Sequence, residues 1–394
     1  MLYNFDSILD RRATNSIKWR HYPEDVLPLW VADMDFAAPE PIRAALQRAV
    51  EHAVFGYESP SRVLCETVAA RMQTLYGWQV SPEAVVATPG VVAGFTVAAH
   101  TLCTAGQGIL IQPPVYPPFL KVHGAGGWIS QLAPLAMETA GSTLRYTLDF
   151  EIFRKALHLG GAQTGMFLLC NPHNPTGQVY TREDLGRMAD ICLQNDVVIC
   201  SDEIHSEILL GGAGHTPIAS LDPEIADRTI TLVAPSKTFN FPGLFCGFAI
   251  IPNQDLLERY KKTVECMAMH VNNLGLLAAQ IAFSGECDEW LAALRAYLTG
   301  NRDFLVSSIR SEFNGIRITL PDATYLAWLD CTGLVASGKI GSTPHEFFLK
   351  QAKVALNEGR EFGPGGEGFV RLNFGCPRRT LSEALERLRS ALDV

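Results

Sequence analysis

The chain has 394 residues, 47% of them apolar, enough to bury a large core and to divide into about two domains. A formal charge of -9, a pI near 5.6 and the absence of any long basic run argue against a surface built for nucleic acid or an anionic membrane. Ten cysteines with no CxxC pair fit reduced core residues of a cytosolic protein, and the opening residues hold no apolar segment of the signal-peptide type.

In chain order, an apolar stretch over 27–36 carries Asp33 and Asp35 on either side of Met34, beside Trp30 and Phe36. Two carboxylates without a third make a weak metal site, and a structural role is the simpler reading. An amphipathic helix is predicted over 41–51, and another over 61–76 after Phe55-Gly56-Tyr57. The apolar region 85–103 is broken by Pro89, Gly90 and His100, so it reads as strand, turn and buried helix rather than a membrane span. Gly90 then sits where backbone amides open toward a helix N-terminus, a geometry that binds phosphate, although packing alone also explains a glycine there. The next strand runs into Pro113-Pro114-Val115-Tyr116-Pro117-Pro118, a stiff loop whose Tyr116 either stacks on a flat ligand or fills the loop. The stretch 124–143 reads as strand and loop without a clear period.

From Gly165 the pattern sharpens. A buried strand over 166–170, a capping box from Thr181 to Asp184 opening a helix to about 194, and a strand over 197–200 form a βαβ unit, hence parallel strands with a right-handed crossover. A third apolar strand, 229–234, leads into Ser236 and Lys237. Burying an ammonium is costly unless it is paired or neutralised, so Lys237 is either turned to solvent or used chemically. In open parallel sheets the carboxyl ends of strands line the ligand crevice, so Asn174, Asp202, His205, Ser236 and Lys237 are expected to meet. A lysine amine condenses with an aldehyde as a Schiff base, and a carboxylate such as Asp202 keeps a pyridine nitrogen protonated. An amide or imidazole near the ring hydroxyl and a phosphate on the Gly90 amides would complete a site for pyridoxal phosphate.

Helices are predicted over 254–284, then a long amphipathic helix over 287–313 that bridges to a smaller unit. Strand and helix patterns alternate from 316 to 374 and close with a helix over 381–392, an α+β arrangement. The predicted organisation is an α/β fold: a large domain over 49–286 with a mostly parallel central sheet, and a small α+β domain from 1–48 and 287–394. The glycine-rich run 363–368 lacks the lysine and following helix of a phosphate loop and reads as a mobile turn before the Arg371 strand.

Four strings, Asn171-Pro-His-Asn-Pro-Thr-Gly177, Asp202-Glu-Ile-His205, Ser236-Lys-Thr-Phe-Asn240 and Val370-Arg-Leu-Asn-Phe-Gly375, resemble the fold-type I pyridoxal phosphate enzymes of the aminotransferase class I/II superfamily. Trp30-Val-Ala-Asp-Met-Asp-Phe36, Phe55-Gly-Tyr57, Thr88-Pro-Gly-Val-Val92 and Pro113-Pro-Val-Tyr-Pro117 are similar to its MalY/PatB branch of carbon-sulfur β-lyases, typified by cystathionine β-lyase. The resemblance runs over about 5–392. It implies that Lys237 binds the cofactor aldehyde, that Asp202 pairs with the pyridine nitrogen, and that Asn174 and His205 face the ring hydroxyl, His205 standing where many aminotransferases have tyrosine. It further implies that Tyr116 stacks on the ring and that Gly90, Val91, Val92 and Ser236 bind the phosphate, joined by Tyr57 of the partner subunit in a homodimer. Arg371 would clamp the substrate carboxylate as a fork that lysine cannot reproduce. Phe245 occupies the position where aminotransferases commonly carry a phosphate-neutralising arginine, a departure the MalY/PatB branch shares.

The activity implied is cytosolic β-elimination of a sulfur amino acid without a metal: L-cystathionine to homocysteine, pyruvate and ammonia, or L-cysteine to sulfide. An aminotransferase, a cofactor-free Schiff-base aldolase and a regulatory binding protein are the alternatives.

Overall fold

The computed structural model describes residues 3–341 and 343–392; the extreme ends of the two segments assigned to the small domain, and position 342, lie outside the described residues. In chain order the strands are β1 (Leu27–Pro28), β2 (Val85–Thr88), β3 (Gly108–Ile111), β4 (Ile129–Leu132), β5 (Ala136–Ala140), β6 (Thr143–Thr147), β7 (Thr164–Cys170), β8 (Val198–Asp202), β9 (Thr229–Val233), β10 (Gly247–Ile250), β11 (Arg317–Thr319), β12 (Leu326–Asp330), β13 (Val354–Ala355), β14 (Asn357–Glu358) and β15 (Phe369–Asn373). Seven of them form one sheet in the order β2-β10-β9-β8-β7-β3-β4. Within it only β10 runs antiparallel to its neighbours.

Alternation along these strands explains why the sheet is buried on both faces. Ile109, Met166, Leu168, Cys200, Ile230 and Leu232 join one core beneath the helices Val91–Leu102 and Gln254–Cys266. Their neighbours Leu110, Phe167, Leu169 and Ile199 join another beneath the helix Arg182–Gln194. Each fully buried aliphatic side chain contributes on the order of 1.5–3 kcal/mol. The helices start where the side chains dictate: Ser61 accepts from the Leu64 amide at 3.1 Å, and Thr181 with Asp184 makes the reciprocal capping box.

Because β2, β3, β7, β8 and β9 all run the same way, their carboxyl ends lie along a single edge. That edge receives the Gly90 turn, the Tyr116 loop, the Asn174 loop, Asp202 with His205, and Lys237. The strand order turns back between β7 and β3, the switch point at which such sheets open a crevice.

A second, six-stranded sheet has the order β14-β15-β12-β11-β6-β5. Its β5–β6 hairpin comes from 136–147, inside the span assigned by sequence to the large domain; β6 pairs in parallel with β11, so this stretch belongs to the second sheet. The helix Asp288–Glu312 packs against β11 and its Arg295 Nε donates to the Glu207 carbonyl beyond β8 at 2.7 Å; β1 pairs with β13, attaching the N-terminal segment to the C-terminal one. The glycine-rich turn at 363–368 is tightly packed: a Cβ on Gly366 would lie 2.0 Å from the Gly359 carbonyl oxygen.

Candidate active site

Gly90, Val91, Val92, Tyr116, Asn174, Asp202, His205, Ser236 and Lys237 all line one cavity of about 190 Å³. Lys237 lies in the short helix Pro235–Thr238 that follows β9. Its Nζ donates to the Ala32 carbonyl at 2.6 Å. Burial pushes the amine down to about 8, with Arg371 adding to the fall and Asp33 and Asp202 opposing it.

Asp202 ends β8 and is 3% exposed. Burial, helped by Glu203, pushes its carboxyl up to about 7 against the Ile204 amide, which donates to Oδ1 at 3.1 Å, and the nearby Lys237. His205 is driven down to about 3 by burial and by Lys237 and Arg371, so its ring is neutral. Its Nδ1 has no hydrogen-bond partner among the described residues.

Arg371, on β15 of the second sheet, reaches this edge of the first. Nη1 donates to Asn174 Oδ1 at 3.0 Å and Nη2 to the Trp30 carbonyl at 3.0 Å. Asn357 Oδ1 also accepts from Nη2, and the guanidinium lies 5.1 Å from the Phe362 ring centre. Burial lowers it to about 10, so it remains charged near neutrality. Nε is buried without a partner among the described residues.

The turn before the helix Val91–Leu102 departs from the simplest expectation. Gly90 adopts φ +97, and its N–H donates back across Pro89 to the Thr88 carbonyl at 2.7 Å. The helix start leaves the amides of Val91, Val92 and Ala93 without an intrahelical acceptor, and of these residues Val91 and Val92 line the cavity. Phe245 lines the cavity at φ +47, a strained conformation for a bulky side chain. Tyr57 is not brought in: it sits in the irregular segment 53–61, fully exposed.

Sequence reasoning missed several contributors. Cys170 lines the cavity and Tyr325 donates to the Ala32 carbonyl at 2.9 Å; both lie in apolar strand contexts that carry no chemical signal. Ala32 acts through its backbone, which no residue type announces. Asp33 and Asp35 are paired with Arg11 and Lys18, and no group of three potential metal ligands occurs among the described residues.

The residues present fit pyridoxal phosphate. A buried carboxyl needs a cationic partner such as a ring N–H, a neutral imidazole with a free nitrogen and an asparagine amide suit a ring hydroxyl, and two free helix-start amides suit a phosphate.

Comparison with known proteins gives the same direction. The chain is 39% identical to cystathionine β-lyase PatB of Bacillus subtilis, across 99% of this chain and all of that one. Among solved structures, cystalysin of Treponema denticola with pyridoxal 5'-phosphate superposes with a TM-score of 0.91 at 32% identity, over 100% of this chain and 99% of that one. The pyridoxal phosphate-bound C-S lyase of Staphylococcus hominis does so with a TM-score of 0.91 at 31% identity, over 99% and 98%. The profile for aminotransferase class I and II matches residues 24–388, and with these full-length likenesses it follows that the chain belongs to the aminotransferase class I and II family.

Proposed function

We propose that the protein is a pyridoxal phosphate-dependent carbon-sulfur β-lyase that converts L-cystathionine to homocysteine, pyruvate and ammonia, and can take L-cysteine to sulfide. The observation that carries this reading is one cavity holding a lysine amine brought down to about 8 and a buried carboxyl, with a guanidinium fixed beside it through Asn174. The lyase relatives at full-length coverage favour elimination over amino transfer.

When bound, the cofactor supplies an aldehyde that captures the substrate amine and a ring that takes up electron density from Cα. Lys237 would hold the aldehyde and, once displaced, take the Cα proton on Nζ; an amine of about 8 is substantially neutral at mildly alkaline pH. Asp202 would hold the proton on the ring nitrogen. Asn174 and His205 would face the ring hydroxyl, Tyr116 would cover the ring, and the Val91 and Val92 amides with Ser236, on the Gly90 turn, would take the phosphate. Arg371, set in place by Asn174 and Asn357, would bind the substrate carboxylate, with its free Nε–H available for one oxygen.

We place a second copy of the chain against segment 53–61, where Val54, Phe55 and Tyr57 are exposed together, so that Tyr57 of the partner subunit completes the phosphate site. All ten cysteines are free, which supports a reducing, cytosolic compartment; no helix among the described residues is long and apolar enough to cross a membrane.

The test is to incubate purified holoprotein with L-cystathionine, with and without 2-oxoglutarate, and to assay pyruvate, free thiol and glutamate. Equal pyruvate and thiol without the oxo-acid is the expected result. Glutamate formed only when the oxo-acid is present, with no thiol, would overturn the lyase reading in favour of amino transfer.

A further inference from the structure

Residues 30–36 pass beside the cavity as irregular backbone, and side chains replace the sheet ladder that such a segment lacks. The Trp30 carbonyl accepts from Arg371, and the Val31 and Asp33 carbonyls from Asn373 Nδ2 at 2.6 and 2.7 Å. The Met34 carbonyl accepts from Asn240 Nδ2 at 2.9 Å and Arg11 Nη1 at 3.2 Å. Ala32 differs from its neighbours, because its carbonyl takes both the Tyr325 hydroxyl and the Lys237 amine.

Next to this carbonyl lies a cluster of four charges. Arg11 forks across Asp33 Oδ2 and Asp35 Oδ1, at 2.6 Å each. Lys18, 1% exposed, donates to Asp35 Oδ2 at 2.7 Å and to the Asp33 carbonyl at 3.1 Å. Trp19 Nε1 donates to Asp35 Oδ1 at 2.8 Å. Two cations and two anions balance in number, and the part of the cluster that Lys237 feels is Asp33, which raises the proton affinity of the amine. A buried ion cluster also contributes little net stability, since desolvation offsets its attraction. What it does supply is a fixed backbone position one residue from the amine's acceptor.

We propose that Arg11, Lys18, Asp33 and Asp35 are positioning residues for Lys237: their cluster locks the Ala32 carbonyl as a dock for the lysine amine after an amino acid has displaced it from the cofactor. The proton-transfer part of this role rests on the proposed lyase function, whereas docking applies to any reaction in which an amino acid displaces Lys237. A fixed acceptor favours the protonated amine and removes the freedom of a four-carbon side chain, so it stabilises the displaced form.

The charged and titratable groups facing Lys237 are Asp33 from this segment, Arg371 from β15, Asp202 at the end of β8, His205 just beyond it, and Tyr325 just ahead of β12, whose hydroxyl shares the Ala32 carbonyl. Lys18→Met separates docking from charge. Removing a cation beside Asp33 and Asp35 would, by electrostatics alone, raise the proton affinity of the amine; loosening the dock lowers it.

The experiment uses holoenzyme and 2-methylalanine, which has an amine to displace Lys237 but no Cα proton to lose, with displacement read from the visible absorbance of the cofactor. In Lys18→Met we expect the displacement constant to weaken about tenfold, the scale of one charge-assisted hydrogen bond, with cofactor affinity within twofold of the parent. The acid limb of the kcat–pH profile should move to lower pH. A displacement constant within twofold of the parent, or an acid limb that moves to higher pH, would overturn the dock. If Lys18→Met does not fold, Asn240→Ala, which frees Met34 and Phe36 from the other side, carries the same expectations and the same refutation. Parent enzyme that is displaced by 2-methylalanine yet makes no pyruvate from L-cystathionine would sink the lyase reading and leave the dock standing.

Discussion

Asp202 and Lys237 lie in the same cavity and are shifted in opposite directions by the same cause, burial. Between its ordinary value of 3.8 and about 7, Asp202 holds a proton in the folded chain that the unfolded chain has lost. Stability of the cofactor-stripped protein therefore falls as pH rises through that window. Lys237 acts the other way between about 8 and 10.5, where the unfolded chain holds the extra proton and stability rises with pH. Asp202→Asn keeps the acceptor for the Ile204 amide, so stripped Asp202→Asn should be more stable than stripped parent by roughly 2–4 kcal/mol at pH 7.5 and equal to it near pH 4. Denaturant melts at the two pH values check this, and a gain of the same size at both would refute it. At Arg371, replacement by lysine loses the fork that touches Asn174, Asn357 and the Trp30 carbonyl together. KM for L-cystathionine should rise by about 10- to 100-fold, measured by steady-state kinetics, with the cofactor still bound. Asp202 and Lys237 were legible in the sequence because they are chemical side chains at strand exits, whereas Arg371, inside β15, was legible only through the resemblance of its motif. The Ala32 carbonyl was not, and neither were Arg11 and Lys18, whose partners are fixed only by the folding of the segment onto β15 and Asn240.

The helix Val91–Leu102 and strand β10 meet at Gly90 and Gly247. A Cβ on Gly247 would lie 3.3 Å from the Gly90 Cα and 3.3 Å from the Val233 carbonyl, both backbone atoms that yield little. Gly247→Ala should thus push the phosphate turn aside by a few tenths of an ångström and loosen the cofactor several-fold, read as faster loss on dialysis; unchanged retention would show that the turn relaxes freely. At the start of the helix Arg182–Gln194, Thr181→Ala should cost about 1 kcal/mol in a denaturant melt without touching cofactor affinity. That helix and its flanking strands were readable because capping chemistry and short buried apolar runs agree with each other. The β5–β6 hairpin was not. Every residue of β5 is exposed, so the alternation that marks a half-buried strand is missing, and its place in the second sheet depends on pairing with β11, more than 150 residues onward.

The whole molecule is proposed to work as two copies, each lending Tyr57 to the other. Mixing Lys237→Ala with Tyr57→Ala tests that arrangement without any structure of the pair. In a mixed dimer one site lacks both groups and the other has both, so random reassortment should restore about a quarter of the parent sites. Activity that never exceeds the sum of the two variants would refute a shared site. Within one copy, the segment that presents Ala32 is tied to Arg371 and Asn373, more than 300 residues later in the chain. The carbonyls of Trp30, Val31 and Asp33 therefore gain these donors only when β15 lies beside them. A chain cut before β15 would keep its lysine and its phosphate turn but lose the guanidinium proposed to grip the substrate.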